Sequence, residues 1–328
     1  MHVLAQVLDQ FDFGPPLTFA NLTMMPLLHR GHQEAAYLTL EEALVTGRFR
    51  VTEVSDGGHV PELRVRNDLE TAVLLLDGEE LVGAKQNRVV NLTILVPAHA
   101  SLTIPVSCVE AGRWHHVSDA FAGSERALFA EGRARKTQQV SHSLAMGEAA
   151  HADQGDVWDR ISHRVALSGA HAPTAAMADV FEARHKDVED YVRALQPVEG
   201  QAGAAIAIGG RLAGIEWFDS PATLHKLLTK IVSYALDAAF APQADAAPPI
   251  DAGAVREWVE RLSAHQPQTH DAVGLGEALR WDTPGMTAAG LLLDTRLIHF
   301  VGFPVEDEVR LRGRMRSASQ RRRQQRTE

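Results

Sequence analysis

Several features that define common protein classes are scarce or absent in this 328-residue chain. Its one cysteine, Cys108, excludes an intramolecular disulfide and a zinc site built from several cysteines. No apolar run approaches the roughly 20 residues that a membrane-spanning helix requires. The first residues, MHVLAQVLDQFDFGPP, lack a basic segment leading into an apolar run, so no secretory signal is predicted. These absences together predict a cytoplasmic protein with no membrane partner.

Lysine is also scarce, with five residues against 27 arginines. Eight of those arginines lie in the last nineteen residues, 310–328, beside a single acid. The whole chain carries −10 and this tail +7, so residues 1–309 carry −17. An acidic body is a poor surface for nucleic acid, because neutralising phosphates requires a dense basic patch. The tail is predicted to be a disordered terminus, with nucleic acid or an acidic partner as its alternative contact.

Residues 1–118 are predicted to be rich in strands. The segments that indicate strands are 17–28, 48–54, 63–67 and 72–84, with a short helix over 39–45. Within the last segment, Asp77-Gly78 is typical of a tight hairpin turn. Gly57-Gly58 indicates another turn.

Residues 119–309 are predicted to be a helix-rich part that either continues the first or stands apart from it. The predicted helices are 119–132, 156–167, 175–195, 219–240 and 252–264; the predicted hairpins are 203–218 and 286–303; and 241–250 indicates a linker. The clearest helix is 219–240, where Ser220 is a natural cap and Pro221 suits the first turn. Strands and helices do not alternate regularly, which favours a mostly antiparallel α+β fold.

An unusual polar run, KQNR at 85–88, lies between two apolar segments. The next segments, 88–96 and 101–110, alternate apolar residues and predict two strands whose apolar faces match only in an even register. The simplest such register places Arg88 opposite Glu110 at the end of the buried face. Pro105 indicates an edge strand or a bulge, because proline donates no ladder hydrogen bond.

Seven side chains are expected at this end of the two strands, and we name them the polar rim: Lys85, Gln86, Asn87, Arg88, Glu110, Arg113 and Trp114. Arginine grips phosphate or carboxylate in a bidentate fork, amides bind hydroxyl and amide groups, and an indole stacks on a ring. On a buried rim the carboxyl of Glu110 is expected to have a raised pKa, suited to acid–base catalysis. The alternative is a structural ion pair between Arg88 and Glu110, with Trp114 packed against it.

Two other residue types predict structure rather than chemistry. Cys108 continues the apolar alternation, which is typical of a buried small hydrophobe. The sixteen histidines include HRGH at 29–32 and a pair at 115–116, but neither has the helical spacing with glutamate of a zinc-protease motif. No metal site is predicted, and no cofactor is indicated.

Two stretches resemble a known family. LLLDGEELVGAKQNRVVNLTILVPAHASLTIPVSCVEAGRW and GGRLAGIEWFDSPATLHKLLTKIVSYALDA are similar to the ADP-ribosylglycohydrolase and rhodanese-phosphatase-associated proteins. The resemblance covers about residues 15–240 and extends toward 305. Its motifs fall on Gly83–Arg88, on Ser107–Glu110 with Arg113 and Trp114, and on Gly214, Glu216 and Phe218. The arginine-rich tail has no counterpart in it.

The family's name associates it with enzymes that process ADP-ribose. The resemblance therefore implies an ADP-ribose-like or NAD-derived nucleotide as ligand, with hydrolysis as a further expectation. Arg88, Lys85 and Arg113 would meet the phosphates, Trp114 would stack, and Glu110 would be the catalytic carboxylate. The alternative is a non-catalytic scaffold that binds a protein partner, for which helices over 156–195 would supply a face.

Overall fold

A computed structural model describes residues 4, 7, 9–31, 34–55, 60–231, 234–241 and 250–305. The predicted turn at Gly57-Gly58, most of the predicted linker over 241–250 and the arginine-rich tail lie outside the described residues.

The strands in chain order are β1 (Phe11–Phe13), β2 (Leu17–Phe19), β3 (Leu22–His29), β4 (Tyr37–Thr39), β5 (Phe49–Glu53), β6 (Glu62–Asn67), β7 (Ala72–Leu75), β8 (Glu79–Gly83), β9 (Arg88–Val90), β10 (Ile94–Val96), β11 (Ala100–Cys108), β12 (Phe121–Ala127), β13 (Gln201–Ile208), β14 (Arg211–Phe218), β15 (Gln268–Asp271), β16 (Glu277–Thr283), β17 (Met286–Leu293) and β18 (Arg296–Pro304). The helices are α1 (Leu40–Val45), α2 (Ala130–Ala145), α3 (Gln154–Ser168), α4 (Met177–Ala183), α5 (His185–Ala194), α6 (Pro221–Ile231), α7 (Tyr234–Phe240) and α8 (Ala252–Ser263). None of these helices is long and apolar enough to cross a bilayer.

The strands form three sheets in an α+β arrangement. The largest has the order β1-β3-β13-β14-β18-β17-β16-β15, with β2 also on β3. A six-stranded sheet runs β12-β8-β9-β11-β6-β5, and a three-stranded sheet runs β10-β7-β4. Every pairing is antiparallel except β4 with β7. Strands from both sides of residue 118 pair in the two larger sheets, and six strands follow residue 200, so the order of a β-rich part followed by a helix-rich part is not confirmed.

The hairpins predicted over 203–218 and 286–303 are confirmed as β13–β14 and β17–β18. The apolar stripe of 219–240 is buried on α6 and α7, which pack on one face of the large sheet with Phe218 and Val301. The other face packs on α8, where Trp217, the neighbour of Phe218, points the opposite way along β14.

Three predicted elements are wrong. Asp77-Gly78 does not close a hairpin, because β7 and β8 belong to different sheets. The segment 119–132 forms β12 rather than a helix, since Phe121 pairs with Gly83 of β8 and α2 begins only at Ala130. The single helix over 175–195 is interrupted at Arg184, which separates α4 from α5.

Polar and charged side chains are buried where α2 meets the sheets, in a cluster that we name the core network: Asp77, Thr93, Arg133, Lys136, Glu216 and His299. Arg133 donates to both oxygens of Glu216, at 2.9 and 2.7 Å. His299 bonds Glu216 through Nε2 at 3.0 Å and Thr93 through Nδ1 at 2.8 Å. Lys136 pairs with Asp77. These contacts join α2, β14, β18 and the turn between β7 and β8.

The carboxylate of Glu216 is held in its charged form. Burial alone would raise its pKa, but the charge of Arg133 and the hydrogen bonds from His299 and Arg133 outweigh burial and lower the pKa to about 2. A buried, charged carboxylate stabilises the fold only while its partners, here Arg133 and His299, both remain in place.

Replacing Glu216 by Gln is expected to lower the free energy of unfolding by about 3–5 kcal/mol near neutral pH, because Arg133 loses its bidentate partner. The ordinary pKa of a glutamate side chain is 4.5, so the stabilisation is complete above that pH and is lost as the pH falls toward 2. Urea unfolding of both proteins at a series of pH values measures the difference, which should shrink below about pH 4.5. The exposed Glu277→Gln is the control, with an expected change within about 0.5 kcal/mol. A Glu216→Gln difference that does not vary with pH would contradict the assignment.

Candidate functional sites

The seven side chains of the polar rim lie in one connected cluster. Arg88 donates to Gln86 Oε1 at 2.9 Å, and Gln86 Nε2 donates to the carbonyl of Glu110 at 2.9 Å. Arg113 donates to Asn87 Oδ1 at 2.9 Å. The indole of Trp114 lies 5.5 Å from Lys85 Nζ and 5.8 Å from the Arg88 guanidinium carbon, within cation–π range.

The predicted Arg88–Glu110 pair is wrong. Arg88 lies opposite Cys108, two residues from the predicted register, although the even register and therefore the shared face are as predicted. Residues 88–96 are not one strand: the chain leaves the ladder after Val90, and β10 pairs with β7 instead. Strand β11 also changes partner at Pro105, from β6 to β9, so the residue without an N–H stands where the ladder passes from one strand to the other.

Glu110 instead pairs with Arg113 at 2.6 Å. Its other contacts are the backbone N–H of Asn87 at 3.2 Å and the hydroxyl of Thr174 at 3.0 Å, so both carboxylate oxygens accept hydrogen bonds. Burial pushes the pKa of Glu110 upward, but the hydrogen bonds from Arg113, Asn87 and Thr174 outweigh burial, and the net shift is downward. The raised pKa expected for a catalytic acid is therefore wrong, and catalysis by Glu110 stays a prediction.

Most of the polar rim is closed to solvent. Arg88 is fully buried, and Cys108 beside it is confirmed as a buried free thiol. Trp114, at 48% exposure, and the half-buried Lys85 form the part of the rim that a ligand can reach. In the part of the chain that the structure describes, no three His, Cys, Asp or Glu side chains are grouped to hold a metal ion.

A second candidate site is a cleft of about 660 Å³ that the sequence did not indicate. We name it the arginine cleft, because four arginines from three elements line it: Arg135 of α2, Arg160 and Arg164 of α3, and Arg211 of β14. Ala134, Leu212 and Ala213 supply apolar wall, and the two acidic lining residues are Glu131 and Asp237. Its size falls in the range of small-molecule sites, roughly 300–1,000 Å³.

Ion pairs hold part of the arginine cleft in place. Arg164 bridges Glu131 at 2.7 Å and Asp237 at 2.6 Å, and its guanidinium lies 5.0 Å from the ring of Phe129. Burial raises the pKa of Asp237 to about 6, although the charge of Arg164 opposes the shift. Arg160 pairs with Glu131 at 2.7 Å. These contacts preorganise two of the four arginines.

Arg211 differs from them. It is exposed at the start of β14, and no described residue forms an ion pair with it. Its five N–H donors are therefore available to a ligand in the cleft.

Sequence reasoning missed the cleft for a physical reason. The segment 119–150 shows no clear period, and the alternating charges of α3 are typical of a solvated face. On α2, Arg133 and Lys136 point into the core while Glu131 and Arg135 line the cleft, so polar residues occur on both faces of the helix. Periodicity finds an apolar face, and a helix with charges on both sides does not display one clearly.

The Glu110–Arg113 pair predicts a structural role that can be measured. Arg113→Ala is expected to lower the free energy of unfolding by about 3–5 kcal/mol, because it leaves the carboxylate of Glu110 buried with one partner fewer. The matched control is Arg30→Ala, which breaks an Arg–Asp pair of the same 2.6 Å length at more than half exposure and should cost far less, because solvent screens an exposed pair. Urea unfolding compares the two. Equal losses would show that burial adds nothing to the rim pair.

Comparison with known proteins places the chain in a family. No match was found among curated proteins, and none among solved structures. The family of the ARG and Rhodanese-Phosphatase-superfamily-associated Protein domain, ARPP-1, matches residues 10–303, which include the polar rim and the four arginines of the cleft. The chain therefore belongs to the ARG and rhodanese-phosphatase-superfamily-associated protein family.

Proposed function

We propose that this protein binds a phosphate-bearing, nucleotide-sized ligand of the ADP-ribose class in the arginine cleft. The observation that carries the proposal is the convergence of four arginines on one cleft of about 660 Å³, in a chain whose first 309 residues carry −17. A local excess of positive charge attracts anionic ligands to the cleft, while the acidic remainder of the protein repels them from the rest of the surface.

The chemistry of the lining matches such a ligand. Guanidinium groups bind phosphate through two parallel hydrogen bonds, and Arg211 has its donors available for this. The apolar wall of Ala134, Leu212 and Ala213 offers a surface for a base or a ribose. The ADP-ribose class is also the ligand that the family's association with ADP-ribose-processing enzymes suggests.

The polar rim supports this function less well. A ligand phosphate at the rim would compete with Glu110 for Arg113, and Arg88 is fully enclosed. Trp114 and Lys85 remain as a smaller contact surface. The carboxylate of Glu110 is occupied, so the proposal is for binding, and turnover is a separate question.

Isothermal titration calorimetry with ADP-ribose, NAD and inorganic phosphate tests the proposal. Arg211→Ala removes an exposed side chain without an ion pair among the described residues, so it should fold normally. We expect it to weaken ADP-ribose binding by about 10-fold or more, the loss of one or two charge-assisted hydrogen bonds. Arg66→Ala is the control, because it removes one exposed arginine from a sheet face outside the cleft and should leave the dissociation constant unchanged.

The comparison with Trp114→Ala separates the two sites. Weaker binding in Trp114→Ala, with the dissociation constant unchanged in Arg211→Ala, would place the ligand at the polar rim. Equal weakening of binding in Arg66→Ala and Arg211→Ala would show that the loss comes from the changed net charge of the protein and not from a contact in the cleft. Absence of binding by all three ligands would overturn the proposal.

A further inference from the structure

Arg280 is a buried cation without a partner. It lies on the interior strand β16, 3% exposed, directly opposite Ala289 of β17 on the face that packs against α2. Among the described residues, none accepts a hydrogen bond from its guanidinium and none forms an ion pair with it. Its Nε is fully enclosed. Buried arginines are normally paired, because an unpaired buried charge is expensive.

The neighbouring carboxylates form their ion pairs with other cations. The charge of Asp77 acts on Arg280, but Asp77 is paired with Lys136 through Oδ1, and its Oδ2, which accepts no hydrogen bond from a described residue, lies 3.7 Å from Arg133 Nε. Glu216 accepts both hydrogen bonds of the Arg133 fork. Arg280 is therefore the member of this group that has no anion of its own.

The charge balance leads to the same conclusion. The core network with Arg280 contains three cations, Arg133, Lys136 and Arg280, and two carboxylates, Asp77 and Glu216. His299 is hydrogen-bonded to Thr93 through Nδ1 and to Glu216 through Nε2, so it supplies no anion to Arg280. Lys230 forms its own ion pairs, with the buried Glu79 and the partly exposed Glu41, and these carboxylates are not paired with Arg280.

Loss of a proton does not resolve this excess. Burial lowers the pKa of Arg280 to about 10, against the opposing charge of Asp77, so the guanidinium stays charged at neutral pH. Burial likewise lowers the pKa of Lys136 to about 8. A neutral Lys136 would lower the total charge but would supply no acceptor to Arg280. A water molecule would accept hydrogen bonds from the Arg280 guanidinium but would not neutralise its positive charge.

We propose that Arg280 holds a small monovalent inorganic anion of the halide class inside the core. One anion balances the one excess positive charge and accepts the guanidinium hydrogen bonds. A nucleotide cannot reach a side chain that is only 3% exposed, and Arg280 does not line the arginine cleft, so this site is distinct from the cleft. It would act as a structural ligand that stabilises the junction of β16, α2 and the β7–β8 turn.

Bromide tests the site directly, because it mimics chloride and scatters anomalously. Crystals of the full chain equilibrated in sodium bromide should show an anomalous peak beside the Arg280 guanidinium. This measurement uses the wild-type protein, so it does not depend on whether a variant folds. Bromide peaks only at exposed arginines would overturn the proposal.

Thermal unfolding supplies the second readout. At constant ionic strength, replacing sodium gluconate by sodium bromide should raise the Tm of the wild type progressively, as expected for a ligand that binds only the folded state. Arg280→Met should lose this halide response, and in gluconate it should melt at or above the wild-type Tm, because it no longer buries an unpaired charge. Arg66→Met, which removes an exposed arginine, should keep the full response. A halide response that survives in Arg280→Met would overturn the site.

Discussion

The bidentate contact between Arg133 and Glu216 is the interaction on which the arrangement of this fold depends. Both side chains are buried, and they join α2 to the centre of the nine-stranded sheet. Thr93, His299 and Glu216 follow one another in hydrogen-bonded order, as a hydroxyl, imidazole and carboxylate do in a hydrolase triad. Here the carboxylate is also held by Arg133 and all three groups are enclosed, so the order serves to connect three regions of the chain rather than to attack a substrate.

Holding α2 in this orientation determines what its other face can do. Arg133 and Lys136 are three residues apart and point into the core, which directs Glu131 and Arg135 outward toward α3. Glu131 then receives Arg160 and Arg164, and Asp237 of α7 receives Arg164 from the other side. The core network therefore orients the helix α2 so that its outer side chains line the arginine cleft. One helix carries structural charge on its inner face and lines the proposed binding site with its outer face.

Local sequence patterns predicted the elements whose partners are adjacent in the chain. The β13–β14 hairpin and the stripe of α6 and α7 belong to this group, because a glycine turn and a 3.6-residue period are local signals. Elements decided by distant contacts were mispredicted. Asp77-Gly78 has the composition of a hairpin turn, yet Asp77 is bound by Lys136, 59 residues away, and β7 and β8 enter different sheets. The seven rim residues could be named from sequence, but the partner of Glu110 depended on a register that the break after Val90 alters.

Lysine and arginine occupy different kinds of position in this fold. Two of the five lysines, Lys136 and Lys230, are buried in ion pairs. Lys136 contacts Asp77 and the carbonyl of Asn91, and Lys230 contacts Glu41 and Glu79. An ammonium suits such a position because it is compact and donates three hydrogen bonds without a preferred plane. Arginine occupies the positions where a planar fork meets a carboxylate, as at Glu216, or stacks on an aromatic ring, as Arg164 does on Phe129. The same planar fork is what phosphate requires, so Arg211, exposed in the cleft and without an ion pair among the described residues, is better explained as part of a binding surface than as a structural residue.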